Sequence, residues 1–264
     1  MRSYPESIVC MTEESVEVIY ALNKSELIVG VSAYVERPPE AKKKKTISAF
    51  THANLKKIKE LKPDLVLGFS DIQKDIARDL IGEGLSVFIA NHRSVEGILN
   101  YVQMIGNLIG ESDRASEYVK ELESKISYAR EKSSSFNVKP RVYIEEWDEP
   151  LICGIQWFSE IVELCGGEVV HKDKSQSSLA TGRFLSHKEI IDYNPDIILA
   201  CWCGKKVDFD NIYNREGYST ISAIKNNKVF ELIPEIFLQP GPAPIVAGID
   251  QLLEIFENYQ SFKA

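Results

Sequence analysis

Short runs of β-branched and other apolar residues recur along the chain at Ile8–Met11, Leu27–Ser32, Leu65–Phe69 and Val87–Ala90, and again at Val142–Glu146, Ile197–Cys201 and Val229–Ile233. Between them, apolar positions three and four apart predict helices over about 13–22, 54–61, 71–82 and 95–109, then over 157–165, 187–193, 219–225 and 244–258. Strands alternating with helices predict an α/β chain with mainly parallel sheets. Ser186-His187-Lys188-Glu189 has the capping-box spacing, in which the serine hydroxyl accepts from a free helix amide and Glu189 reaches back. One order of features occurs twice: Asn54–Leu61, Lys62-Pro63-Asp64 and Leu65–Phe69 make a helix, a Pro-Asp turn and a strand, and His187–Tyr193, Asn194-Pro195-Asp196 and Ile197–Cys201 repeat it. The two prolines are 132 residues apart, half the chain, which favours two similar lobes. Between the lobes, Ser112–Ser133 carries Ala115, Tyr118, Leu122, Ile126 and Ala129 at helical spacing and reads as a strut. The predicted division is an N-terminal α/β lobe over 1–111, a connecting helix over 112–135 and a C-terminal α/β lobe over 136–264.

Composition narrows the function classes. The 264 residues are 44% apolar and 27% charged, enough for a folded core without disulfide staples. The net charge of −8 disfavours a nucleic-acid partner. No apolar stretch approaches the ~20 residues of a bilayer span, so membrane insertion is not expected. The N-terminus lacks an uninterrupted leader-like run, which places the chain in the cytoplasm as written; a chain from which a leader had been removed reads the same and belongs outside the cytosol. The odd count of five cysteines, at 10, 153, 165, 201 and 203, reads as reduced core thiols. The Asn23-Lys24-Ser25 sequon is a chance match in a cytosolic chain, and Lys42–Lys45 is a solubilising run.

No dinucleotide or phosphate loop, nucleophile elbow or paired metal-ligand motif occurs, and His52, His92, His171 and His187 are scattered. The informative pattern is aromatic. In parallel α/β sheets ligands gather at the carboxyl ends of strands. Those positions hold Tyr34, Phe50, Phe69, Trp147 and Trp202, with Trp157 and Phe237 in following loops. Rings in such places suit a flat, partly apolar ligand. Arg37, His52 and Arg183 lie near the same loops, ready for polar substituents.

These residues carry a resemblance. Ile8–Glu13, Leu27–Ser32 running to Arg37-Pro38-Pro39, and Leu61–Val66 are similar to the N-terminal lobe of the cobalamin and ferric-siderophore class of periplasmic-type substrate-binding proteins, whose lobes are joined by a helical backbone. Trp147-Asp148-Glu149-Pro150, Glu163–Gly167 and Gln239-Pro240-Gly241-Pro242 resemble its C-terminal lobe, most closely in the cobalamin-binding branch. The resemblance implies two Rossmann-like α/β lobes, a connecting helix that limits hinge motion, and one corrinoid such as cobalamin held in the cleft between the lobes without being transformed. It implies no catalytic cofactor, a monomer, and an ABC transporter membrane subunit as partner. Position by position, Tyr34 and Phe50 match first-lobe ring contacts, Phe69 takes the place of a strand-end tryptophan, and Trp202 and Phe237 fall in second-lobe contact loops. Where transporter-coupled members present an acidic docking residue on each lobe, this chain reads Gln73-Lys74-Asp75 and Phe237-Leu238-Gln239, with Asp75 or Glu235 as substitutes.

Two alternatives rank below the corrinoid. A ferric siderophore or haem calls for several convergent arginines or tyrosines, and these loops offer mainly Arg37 and Arg183. A cytosolic chelatase or corrinoid-processing enzyme would draw on Glu145, Glu146, Asp148 and Glu149 around Trp147, joined by His52 or His187.

Overall fold

A computed structural model describes residues 3–263. Its strands form two sheets, each within one of two compact units. The first unit takes in residues up to His92, Glu96–Leu122 and Gln239–Pro242; the second takes in Arg93–Val95, Glu123–Leu238 and Ala243 onward.

In the first unit, β1 (Ile8–Cys10), β2 (Ile28–Ser32), β3 (Thr46–Ser48), β4 (Leu65–Phe69) and β5 (Val87–Ala90) lie in the order β3-β2-β1-β4-β5, all parallel. In the second unit, β6 (Arg141–Asp148), β7 (Leu151–Cys153), β8 (Glu168–Val169), β9 (Ile197–Ala200) and β10 (Val229–Glu231) give the path β10-β9-β6-β7, with β8 parallel beside β6 and β7 antiparallel to it. Setting β7 aside, β5-β4-β1-β2 and β10-β9-β6-β8 share one topology, and in each the chain reverses its direction of travel across the sheet beside the central strand.

The repeated Pro-Asp turn has a physical basis in both units. Asn54 and Ser186 cap the helices Leu55–Leu61 and His187–Tyr193, Ser186 in a complete capping box with Glu189. Each helix ends on a left-handed residue, Lys62 at φ 48° and Asn194 at φ 45°, and the following proline cannot continue it. The aspartate then ties the new strand to the central one. Asp64 Oδ2 accepts the Glu6 amide at 2.9 Å just before β1, and Asp196 Oδ2 accepts the Arg141 amide at 3.0 Å at the start of β6.

The strands β3, β7 and β8 go beyond the periodicity, being only two or three residues long. The central helix runs over Ser112–Ser134, with Ala115, Leu122, Ile126 and Ala129 buried. Over 244–258 the expected helix begins instead with a π-helical segment, Pro244–Gly248, and continues as Ile249–Lys263. Gln239–Pro242 is held within the first unit: His92 Nε2 donates to the Pro240 carbonyl at 2.6 Å, and Gly241 lies against Glu14.

Gly68, in β4, is needed for space. A Cβ there would sit 2.5 Å from Gln73 Oε1, 2.7 Å from the Met11 methyl and 2.8 Å from Ile89. Gly68→Ala is expected to cost about 1–3 kcal/mol by overpacking. Urea unfolding reads this directly, and a variant as stable as the parent would contradict it.

Candidate functional site

Ligand sites in open α/β sheets form beyond the carboxyl ends of the strands where the strand order reverses. In the first unit that place lies between β1 and β4, and in the second between β6 and β9.

In the first unit, Tyr34 follows β2 and is 64% exposed, its ring carried on a turn in which its amide donates to Ser32 Oγ at 3.3 Å. Phe50 follows β3 and is half-buried. Its loop closes tightly, since the Ala49 amide donates to the His52 carbonyl at 2.7 Å, and His52 is exposed, with Nδ1 2.9 Å from Thr51 Oγ1. Gln73, fully buried, clamps this edge: its Oε1 accepts the Phe69 amide at 3.0 Å and its Nε2 donates to the Phe50 carbonyl at 2.9 Å. Phe69 itself is buried and packs edge-on to His92, with ring centroids 5.2 Å apart. Arg37 points at Glu17, its Nε donating at 2.6 Å, while its amide donates to Glu13 Oε1 at 2.5 Å. Behind this edge Glu14 is buried beside the hydroxyl of Thr12, and burial pushes its carboxyl up to about 7 against the opposing hydrogen bond.

In the second unit, β6 runs past the sheet edge into a hairpin with β7, with an irregularity between Glu145 and Trp147. The two glutamates are both buried and bound to different partners. Glu145 accepts from Arg215 at 2.6 and 2.9 Å and from Trp202 Nε1 at 3.0 Å. Glu146 accepts the Ile155 amide at 2.7 Å and Arg183 Nη1 at 2.5 Å. Burial raises the Glu146 carboxyl, and Arg183 pulls it back. Trp147 is half-buried, its Nε1 donating to the Glu149 carbonyl at 2.8 Å. Lys205, on the loop after β9, places its ammonium 4.2 Å from the Trp147 ring centroid and 4.7 Å from that of Trp202, and donates to Asp148 Oδ1 at 2.5 Å. Gly204, at φ 74°, makes the turn that brings Lys205 back over the rings.

The expected contacts therefore divide. Tyr34, Phe50, His52 and Trp147 reach the surface at strand ends, and Arg37 is half-exposed but engaged with Glu17. Phe69, Trp157, Arg183, Trp202 and Phe237 are buried within their own units. Each has an internal reason: Trp157 Nε1 donates to the Phe237 carbonyl at 2.9 Å, Phe237 stacks on Phe158 at 4.9 Å, Trp202 and Arg183 serve the two glutamates. Gln73 is also internal, so the surface at 73–75 belongs to Lys74 and to Asp75, which is paired with Arg78 at 3.0 Å. Sequence reasoning missed Arg215, for which no local signal exists. Lys205 was within reach, because it follows the strand-end Cys201-Trp202-Cys203-Gly204 segment.

The acidic cluster does not converge: Glu145, Glu146 and Asp148 each face a cation of their own. Among the described residues, no group of three or more His, Cys, Asp or Glu is arranged to hold a metal ion, and no helix is long and apolar enough to cross a membrane.

Comparison with known proteins agrees with this architecture. An ABC transporter substrate-binding lipoprotein of Bacillus subtilis is 25% identical over 260 residues, covering 96% of this chain and 81% of the relative. The vitamin B12-binding protein of Vibrio parahaemolyticus is 21% identical over 262 residues, covering 98% of this chain and 90% of that protein. Among solved structures, a periplasmic haem-binding protein from Roseiflexus superposes with a TM-score of 0.82 at 20% identity, covering 96% of this chain and 98% of that one. The periplasmic vitamin B12-binding protein of Vibrio cholerae gives 0.76 at 20% identity, covering 97% and 98%. Residues 8–236 match the periplasmic binding protein family, and with paired sheets of the same topology in each half the chain belongs to that family of substrate-binding proteins.

Proposed function

We propose that this chain binds a corrinoid of the cobalamin type, without transforming it, as the solute-binding component of an ABC uptake system. The observation that carries the reading is the pair of surface rings at strand carboxyl ends, Tyr34 in the first unit and Trp147 in the second, the latter at that unit's strand-order reversal. The half-buried Phe50 and the exposed His52 extend the first-unit surface. Flat apolar faces reward such rings with buried area at little rotamer cost. Relatives named as vitamin B12-binding proteins support the ligand class, and those named as lipoproteins or periplasmic proteins support work outside the cytosol. The committed partners of Glu145, Glu146 and Asp148 argue against a chelatase, which needs a convergent base or ligand set.

Haem or a ferric siderophore is the second reading. It draws on relatives of known structure named for haem and for Fe3+-hydroxamate transport. Lys205 and the adjoining Lys206 add positive charge beside Trp147.

Isothermal titration with cyanocobalamin, hydroxocobalamin, haemin and a ferric hydroxamate tests both. Corrinoid binding is expected, weakened by about 1–3 kcal/mol in Trp147→Ala and in Tyr34→Ala. No heat and no spectral change with either corrinoid at hundreds of micromolar would end the corrinoid reading, and haemin binding alone would install the second.

A further inference from the structure

The protein carries a net −8, yet the loop after β9 presents Lys205 and Lys206 in succession. Lys205 is paired with Asp148, but the two are not equally accessible: the lysine side chain is 39% exposed and the aspartate 14%. Of the charged pair at the Trp147 ring, the ammonium is therefore the member more open to solvent. Two aromatic faces and one carboxylate fix the ammonium on its inner side. An ammonium has three N–H donors, so a group held this way keeps donor capacity toward solvent. The left-handed turn at Gly204 sets the loop in this path.

We propose that Lys205 is a specificity-determining residue of this surface, receiving an anionic carboxylate on the rim of a planar ligand packed against Trp147. The inference rests on the proposed macrocycle-binding reading and adds to it the charge of the group recognised. Asp148 and the two rings hold the ammonium in place before the ligand arrives, so little side-chain freedom is lost on binding.

The test compares ligands that differ chiefly in rim charge: cyanocobalamin against its monocarboxylic acid, and haemin against haemin dimethyl ester. The parent protein is expected to bind the acid of at least one pair about tenfold more tightly than its neutral partner, the size of a charge-assisted hydrogen bond. The preference is expected to shrink at about 0.5 M salt, to vanish in Lys205→Met, and to survive in Lys205→Arg. Circular dichroism of both variants checks that the fold is intact. Binding with no acid preference, or a preference that persists in Lys205→Met, overturns the inference and leaves the macrocycle reading standing. Binding of none of the four compounds overturns both.

Discussion

Replacing Arg215 by methionine is expected to destabilise the protein by about 3–5 kcal/mol, because it leaves a buried carboxylate without its counter-charge. Glu145 is fully buried, and the Arg215 side chain is 7% exposed. The guanidinium meets both carboxylate oxygens, at 2.6 and 2.9 Å, and the indole of Trp202 adds a third donor at 3.0 Å. With Arg215 gone, one indole N–H cannot repay the desolvation of a full charge. The double variant Glu145→Gln/Arg215→Met removes the charge with its partner and is expected to recover most of the loss, since replacing a whole buried pair is often close to neutral. Urea unfolding followed by tryptophan fluorescence measures both. A single variant within about 1 kcal/mol of the parent would show that Arg215 does not neutralise Glu145 in solution.

The two units are expected to respond to pH in opposite directions. In the second, the Ile144 amide donates to His171 Nε2 at 3.0 Å, so the ring is neutral with its proton on Nδ1. Burial lowers the His171 pKa from 6.5 to about 3. The unfolded chain takes up a proton as pH falls below 6.5 while the folded chain refuses it. His171 thus costs nothing above pH 6.5, and its penalty grows to about 2 kcal/mol by pH 5. In the first unit, burial raises Glu14 from 4.5 to about 7. Here the unfolded chain ionises first, so the folded state is unpenalised below pH 4.5 and loses up to about 3 kcal/mol as pH rises through 7. Glu14→Gln is expected to match the parent near pH 4 and to exceed it by about that amount at pH 8. His171→Gln keeps an acceptor for the Ile144 amide and is expected to remove the acid-side loss. Denaturant titrations at pH 4, 5 and 8 compare each variant with the parent. Parallel pH profiles for Glu14→Gln and the parent would refute the Glu14 assignment.

Much of the architecture was legible because it is written in local pattern. The runs at Leu65–Phe69 and Val87–Ala90 are the strands observed, the helices at 95–109 and 187–193 have the expected bounds, and the Ser186 capping box is closed. These elements are specified by periodicity and by side chains acting within a few residues of themselves. The three short strands were not legible: Thr46–Ser48, Leu151–Cys153 and Glu168–Val169 are strands only because longer neighbours pair with them. The candidate surface was half legible. Strand-end position selected Tyr34 and Trp147, whose rings reach the surface, and the same rule also selected Trp202, whose indole turns inward to Glu145. An aromatic residue next to a strand end has the same sequence signature whether it faces solvent or core.

By itself the sequence determined the α/β class, the repeated helix, Pro-Asp turn and strand, and the family, because each depends on residue order and short-range chemistry. Tertiary structure alone decided which rings reach the surface, that Arg215 lies against Glu145 seventy residues away, and that the Lys205 ammonium comes to lie 4.2 Å from the Trp147 ring centroid. Those outcomes depend on which distant side chain satisfies a buried charge, and no local pattern encodes that pairing.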